Sequence, residues 1–509
     1  MINKRRSLIR RIWGKCWRVL CAPIFLLLLS PCSSCSNYRV NWPNGEIRAE
    51  SSSATEETRS FKLGGATHTN YEQKLTDRRV TTLIFRDDPA GPSSETIDLR
   101  GDHPDWPHFL IILDGVPFEL VKTMYDEGHF RLFAPPVRVA SGFPAMTDPA
   151  LSKVFHSKPC YGFEAQYYDR KTRTLSNGND VYLSGDNAPW QQFVTYCAPQ
   201  SVAVNTYLSP WSVFSTELAE MDKLFSKTTL PLASAYSVGT AGVGTREGEA
   251  GARAYLNQVD QLCERITYDR RGKVRFTITA DHGQGLQQCE FINFEKTLAD
   301  AGFQESKSLK EAKDVVVVSY GLVTCAELYT DQPRAVAEAL ARDPAVDLAT
   351  FREGDRVFVL KPGATAAIEK RSGGFAYDTS NGDPLELTPI IDQLRTAGHV
   401  AADGTIADHP LLEATAAFRY PDPLYRIWEC FNGTVLCPPD VVASLKSDKC
   451  TGSKFFHFFV NPVASTHGSL ESRSGLTFLL TNAVPTPLPD VIRSENVLDT
   501  IHVQHQPRK

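Results

Sequence analysis

Phe276-Thr-Ile-Thr-Ala-Asp-His-Gly-Gln-Gly285 is an apolar, β-branched run that stops at Asp281-His282-Gly283. It reads as a buried strand, and the polar pair at its C-terminal end lies where open α/β sheets place their ligands. A carboxylate and an imidazole turned toward one point suit a Zn²⁺-like ion. The same dipeptide also reads as an Asp that caps the next helix with an incidental His beside it. Its partners elsewhere in the chain have to decide.

His108-Phe-Leu-Ile-Ile-Leu-Asp-Gly115 repeats the pattern, and its length and closing Gly favour a second buried parallel strand. Asp114 then ends that strand as Asp281 ends its own, and Phe118 to Glu127 supplies the following helix. Two acids at the same end of one parallel sheet point to a metal site. Ser141-Gly-Phe-Pro-Ala-Met-Thr-Asp-Pro-Ala150 predicts a loop that displays Thr147 ahead of a helix from Ala150 to Phe155. That hydroxyl either caps the helix or acts as a nucleophile whose target anion meets the helix dipole. Tyr161 to Trp190, rich in loops and aromatics, is the expected wall of the site.

Gln200 to Tyr207 is expected as a strand and Met221 to Phe225 as a helical or irregular link. Tyr255, Val259, Leu262 and Ile266 recur at helical spacing, so Ala250 to Ile266 is an amphipathic helix leading into the Phe276 strand. Expected helices over 290–303 and Ala335–Ala341 alternate with strands over Asp314–Ser319 and Arg356–Leu360. Ala464-Ser-Thr-His-Gly-Ser469, ahead of the strand Leu476–Leu480, offers His467. The fold class is α/β: a three-layer sandwich around a mostly parallel central sheet, with an inserted smaller α+β region. The expected divisions are a polar tether and edge element over 36–105 with a strand at Val80–Phe85, a core over 106–319 and 461–485, a variable region over 320–460, and a surface tail over 486–509.

With 509 residues, 42% hydrophobic, 22% charged and a formal charge of -5, the chain has ordinary globular composition and no cationic footprint for nucleic acid. Its first 35 residues differ. A basic stretch from Lys4 to Arg18 precedes a short apolar run, Val19 to Leu29, and then Ser-Pro-Cys32-Ser-Ser-Cys35. The run is short for a bilayer span, so it reads as an export signal, with Cys32 or Cys35 as the lipid-modified residue of a lipoprotein. A periplasmic or membrane-anchored protein follows, touching membrane only through that anchor. Eight cysteines lie beyond the signal, in a space where disulfides persist. Cys160 with Cys197, and two of Cys430, Cys437 and Cys450, are candidate pairs, but spacing does not assign connectivity.

Asp114-Gly at a strand end, Thr147 in a Phe-Pro-x-x-Thr loop, Asp281-His282-Gly and the late His467-Gly together resemble the alkaline phosphatase superfamily, most closely its type I phosphodiesterase/nucleotide pyrophosphatase branch. Order and spacing agree from about residue 106 to 481. The resemblance implies two Zn²⁺ ions about 4 Å apart at the C-terminal edge of the sheet. Asp114, Thr147, Asp281 and His282 would hold one. His467 would belong to the other, with an Asp-x-x-x-His pair ahead of the amphipathic helix. Here the chain departs from the family. In Tyr236-Ser-Val-Gly-Thr-Ala-Gly-Val-Gly-Thr-Arg246 the two positions are Ala241 and Thr245, and no His occurs between His156 and His282. Ala cannot bind a metal, and a neutral Thr hydroxyl binds Zn²⁺ poorly.

Two functions fit. One is an exported hydrolase of phosphate mono- or diesters or related small esters, with one Zn²⁺ or another divalent ion and Thr147 as nucleophile. His467 would then be general acid or anion holder, and Thr245 or Arg246 would replace part of the lost ion. The other is a catalytically impaired binding or scaffold protein with a vestigial pocket. A sulfatase does not fit, because Cys160-Tyr-Gly-Phe-Glu lacks the Pro and Arg of that nucleophile motif.

Overall fold

The computed structural model describes residues 47–52, 57–62, 70–85, 89–176, 188–199 and 205–504, so the export and lipidation reading of residues 1–35 lies outside the described residues. Seven strands build the central sheet: β1 His108–Leu113, β2 Val137–Ala140, β3 Tyr196–Cys197, β4 Leu232–Ser237, β5 Arg275–Ala280, β6 Leu476–Thr481 and β7 Val491–Arg493. Their order is β3-β4-β1-β5-β6-β2-β7. Every neighbouring pair is parallel except the two made by β6, which runs against β5 and β2. The expected mostly parallel α/β sheet is therefore present. Leu113 pairs with Ala280, so Asp114 and Asp281 leave the sheet side by side.

The unbroken apolar runs of β1 and β5 follow from burial on both faces. Phe109, Ile111 and Leu113 pack toward helices α1 Phe118–Asp126, α3 Pro210–Lys227 and α4 Gly239–Asp269. Leu110 and Ile112 pack the other way, against α2 Thr147–Val154 and the Trp190 turn. These are the three layers.

Several expectations change. The amphipathic helix from Ala250 is there, but α4 begins at Gly239 and breaks at Gly248, whose φ of 61° favours glycine. Its preceding strand β4 went unread because Leu-Ala-Ser-Ala-Tyr-Ser has little β-branched character. The strand expected over Gln200–Tyr207 falls partly outside the described residues, and Asn205 to Leu208 are a turn. The expected surface tail instead adds β7 to the sheet edge and buries Val497, Leu498 and Ile501 against Leu110 and Ile112. Val80–Phe85 is a strand, within a five-stranded antiparallel sheet that runs from Ile47–Ser52 to Ser93–Asp98. A nine-stranded, largely antiparallel sheet occupies most of the chain between Gln304 and Leu445. It packs Leu348, Val357 and Ile368 on Leu424 and Ile427 of helix α5, Pro423–Phe431. Among the described residues no helix is long and apolar enough to cross a membrane.

One buried cation holds the sheets' loops together. Arg426 of α5 is 1% exposed. Its guanidinium donates to the carbonyls of Ser141 (2.7 Å), Gly142 (3.2 Å), Leu470 (2.9 Å) and Pro421 (3.0 Å). It thus ties the loop ahead of Thr147 to the loop after His467. Gly475 leaves it room, since a Cβ there would lie 2.2 Å from Nη2. Burial lowers the Arg426 pKa to about 10, so the side chain stays charged at neutral pH. Arg426→Met strands up to four carbonyls, each costing about 1–3 kcal/mol when buried unpaired. Urea unfolding should show at least about 3 kcal/mol of lost stability, with Arg426→Lys recovering only part of it.

Candidate metal centre

Of the five residues singled out in the sequence, four sit on loops and Thr147 at a helix start, all at one edge of the sheet. β1, β2 and β5 end there, and antiparallel β6 begins there, so the 467–475 segment arrives at the same edge. Asp114, Asp281 and His282 each present a ligand atom, all within 4.8 Å of one another and all buried. Thr147 opens α2, but the cap position belongs to Met146 and no side chain caps the helix. The Thr147 hydroxyl instead lies 3.3 Å from His282 Nε2. Helix capping is therefore not the role of either Asp281 or Thr147.

The protons decide what the cluster can hold. His282 Nδ1 lies 2.8 Å from the Gly283 carbonyl, which can only accept, so Nδ1 carries the hydrogen and Nε2 a lone pair. That lone pair faces Asp281 Oδ2 at 3.5 Å and Asp114 Oδ1 at 3.9 Å. Three acceptors meet with only the Thr147 hydroxyl as a donor beside them, and Asp281 Oδ2 is fully buried. Burial and the neighbouring Asp281 push Asp114 well above the usual carboxylate range; burial also raises Asp281 and lowers His282 to about 4. A shared cation satisfies all three atoms at once. Two carboxylates and a neutral imidazole, with a hydroxyl beside them, fit Zn²⁺ or another divalent ion of similar taste.

The supporting shell was mostly unread. Tyr236 donates its hydroxyl to Asp114 Oδ2 at 2.5 Å. Trp190 packs edge-on against Tyr236, with centroids 5.0 Å apart, and its indole N–H donates to Asp148 at 2.8 Å. The Asp114 N–H donates to Thr240 Oγ1 at 2.8 Å. Glu217 of α3 accepts from the N–H groups of Val238 (3.1 Å) and Gly239 (2.9 Å) and from Ser237 Oγ (2.6 Å), satisfying the start of α4. Burial raises Glu217 to about 7. Gly239 is required, because a Cβ there would lie 2.7 Å from the Phe214 backbone. Tyr236 and Thr240 both fall inside the window that aligns with the missing metal pair, which was the signal available for them.

At that missing pair the structure has Ala241 and Thr245, both buried. Gln284 Nε2 donates to Thr245 Oγ1 at 3.3 Å, and Gln284 Oε1, buried without a hydrogen-bond partner, fills the space beside Gly244. Arg246 is exposed and donates to the Val460 carbonyl at 2.8 Å. His467 lies outside the three-residue cluster but stacks on His282 with ring centroids 4.0 Å apart. Its Nδ1 donates to the Ala145 carbonyl at 2.8 Å, leaving Nε2 as a lone pair, and burial with the His282 neighbour lowers its pKa to about 3. In this state His467 can accept a proton or hold a cation; it has no Nε2 proton to give.

No protein-family model and no curated protein matches the chain. Solved structures similar to it include phosphonoacetate hydrolase from Sinorhizobium meliloti 1021 in complex with phosphonoformate, at 13% identity and TM-score 0.43, covering 79% of this chain and 96% of that one. Murine ectonucleotide pyrophosphatase/phosphodiesterase 5 is similar at 11% identity and TM-score 0.42, covering 79% and 97%. Its human counterpart is similar at 11% identity and TM-score 0.43, covering 79% and 96%. Likeness this low decides neither family nor chemistry, and both rest on the chain's own residues.

Removing the Tyr236 hydroxyl leaves Asp114 without its one side-chain donor. Tyr236→Phe should weaken divalent-metal binding by roughly 10–100-fold, the usual effect of losing an outer-shell partner. Chelator competition measures it, with circular dichroism unchanged.

Proposed function

We propose that the chain is an exported metal-dependent hydrolase of phosphate mono- or diesters that works with one divalent ion, Zn²⁺ by donor type. The observation that supports it most is the meeting of Asp114, Asp281 and the His282 lone pair at one buried point with Thr147 Oγ1 beside them. Asp114, Asp281 and His282 would hold the ion, with Thr147 and His467 next to it. When bound, such an ion lowers the pKa of an adjacent hydroxyl and offsets charge on phosphoryl oxygens.

The chain's own residues supply the rest. Thr147 stands at the N-terminus of α2, where the helix dipole favours an anionic group. Its oxygen attacks phosphorus as the bond to the leaving group breaks, giving a phosphothreonine that water then cleaves. His467, whose Nε2 keeps a lone pair because Nδ1 donates to the Ala145 carbonyl, would take the hydroxyl proton. Trp190 and Tyr236 keep Asp148 and Asp114 oriented behind the reacting groups. A catalytically impaired binding protein is the second reading, favoured by Ala241, Thr245 and the Gln284 side chain packed where the family pair would stand.

Metal analysis with aryl phosphate mono- and diester assays separates the two. We expect about one ion per chain, turnover of at least one ester, and loss of turnover in Thr147→Ala with metal retained. Metal-loaded protein that hydrolyses neither ester would favour the binding reading. Metal binding needs Asp114 and Asp281 ionised, and burial raises the pKa of both. Affinity therefore falls as pH is lowered, and protein dialysed at about pH 5 should retain less Zn²⁺ than at about pH 8.

A further inference from the structure

Two cysteines meet beyond the metal centre, at the far ends of the segments that carry its ligands. Glu290–Phe291 pairs in parallel with Lys449–Gly452, placing Phe291 opposite Cys450. Cys289 shares the Phe291 face by strand alternation and lies with Cys450 in one buried cluster, where the Cys450 side chain lowers the Cys289 pKa. Cys289 is 6% exposed and Cys450 0%, inside an apolar patch with Leu322, Val460 and Val463. The pairs expected from the sequence are not formed. Cys160 Sγ lies 3.4 Å from Ser152 Oγ, and Cys197 donates to the Ala198 carbonyl at 3.8 Å. All eight described cysteines are thiols.

The location gives the contact its meaning. Between Asp281 and Cys289 the chain is stitched to the segment that leads into His467. Gly285 N–H donates to the Thr466 carbonyl (2.9 Å), Leu286 N–H to Ser465 Oγ (2.8 Å) and Cys289 N–H to the Val463 carbonyl (3.3 Å). Cys450 begins the run through the Lys454–Val460 helix to that same segment. A bond between the two sulfurs would close this stitched region with a covalent clasp.

We propose that Cys289 and Cys450 form a disulfide, and that it locks the Asp281–His282 loop to the His467 segment. Its occurrence in the cell rests on the exported reading above; the chemistry itself does not. The reaction is thiol–disulfide exchange with a small disulfide oxidant. Cys289, the less enclosed sulfur, attacks the oxidant's S–S bond as a thiolate, forming a mixed disulfide and releasing one thiol. Cys450 then attacks Cys289 Sγ, its proton leaves with the second departing thiolate, and the oxidant ends as two thiols.

The full chain, purified with reductant and then treated with oxidised glutathione, is denatured, alkylated and digested. We expect a linked peptide pair containing Cys289 and Cys450, lighter by two hydrogens than the separate peptides. Reductant should lower the thermal midpoint by about 2–4 °C in the oxidised protein but not in the Cys289→Ser/Cys450→Ser double variant. Reduced protein should also release Zn²⁺ to a chelator faster than oxidised protein. Alkylation of both residues after oxidation, or linkage of either to another cysteine, would overturn the bridge, and equal release rates would overturn the lock. The peptide map decides even where the double variant does not fold, and its outcome is independent of whether any ester is hydrolysed.

Discussion

Three proton acceptors facing one buried point is a repulsive arrangement, and much of the structure is devoted to holding it. Asp114 Oδ1, Asp281 Oδ2 and His282 Nε2 carry no hydrogen for one another, and the single hydrogen of the Thr147 hydroxyl cannot serve all three. The tautomer makes the conflict firm: with His282 Nδ1 committed to the Gly283 carbonyl, the ring cannot turn its hydrogen toward a carboxylate. Without a cation, protonation of Asp114 is the cheapest relief, in line with its raised pKa. A divalent cation at this point would satisfy all three acceptors at once.

The sheet topology makes the convergence possible. Parallel strands deliver Asp114, the Ser141–Thr147 loop and Asp281 to one edge, but a late segment carrying His467 would normally arrive at the opposite one. Antiparallel β6 solves this, because its beginning lies where its neighbours end. Arg426 then fixes both incoming loops through their carbonyls, using a planar array of donors that no lysine can reproduce. The helix α5 that carries Arg426 belongs to the core beneath the nine-stranded sheet. That sheet is therefore coupled to the geometry of the site.

The elements legible in sequence were those with strong local signatures. β1 and β5 announced themselves as apolar runs ending in Asp-Gly and Asp-His-Gly, and Thr147 and His467 by loop punctuation. β4 escaped because its alanines and serines are chosen for tight packing, with Ser234, Ala235 and Ser237 all buried, and carry no β-branched signal. The edge strand β7 escaped because Pro-rich flanks outweighed three residues, Val491 to Arg493. The supporting shell was illegible for a different reason. That Tyr236 donates to Asp114 depends on the in-register pairing of β4 with β1, a long-range fact with no local pattern. Arg426 was equally silent, since a buried arginine looks like a surface one until its four carbonyls are in view.

Ala241 and Thr245 contribute neither a carboxylate nor an imidazole to the site. The Asp-x-x-x-His pair of the family that the sequence resembles would bring one carboxylate and one divalent ion, for a net gain of one positive charge. Without such a pair, two carboxylates against one divalent ion would leave the site formally neutral. Asp148 and Glu164 lie close enough to feel each other's charge, and burial raises the pKa of both, to about 8 for Glu164, so the surroundings resist further negative charge. A phosphate monoester enters such a site as a dianion and a diester as a monoanion. The smaller charge is the easier one to accommodate, because less of it is left without a counterion in a buried place. The neutral Gln284 amide packed against Thr245 points the same way, since it offers dipoles where the family offers a cation. Within the hydrolase reading, the charge balance of the remaining residues favours diesters over monoesters.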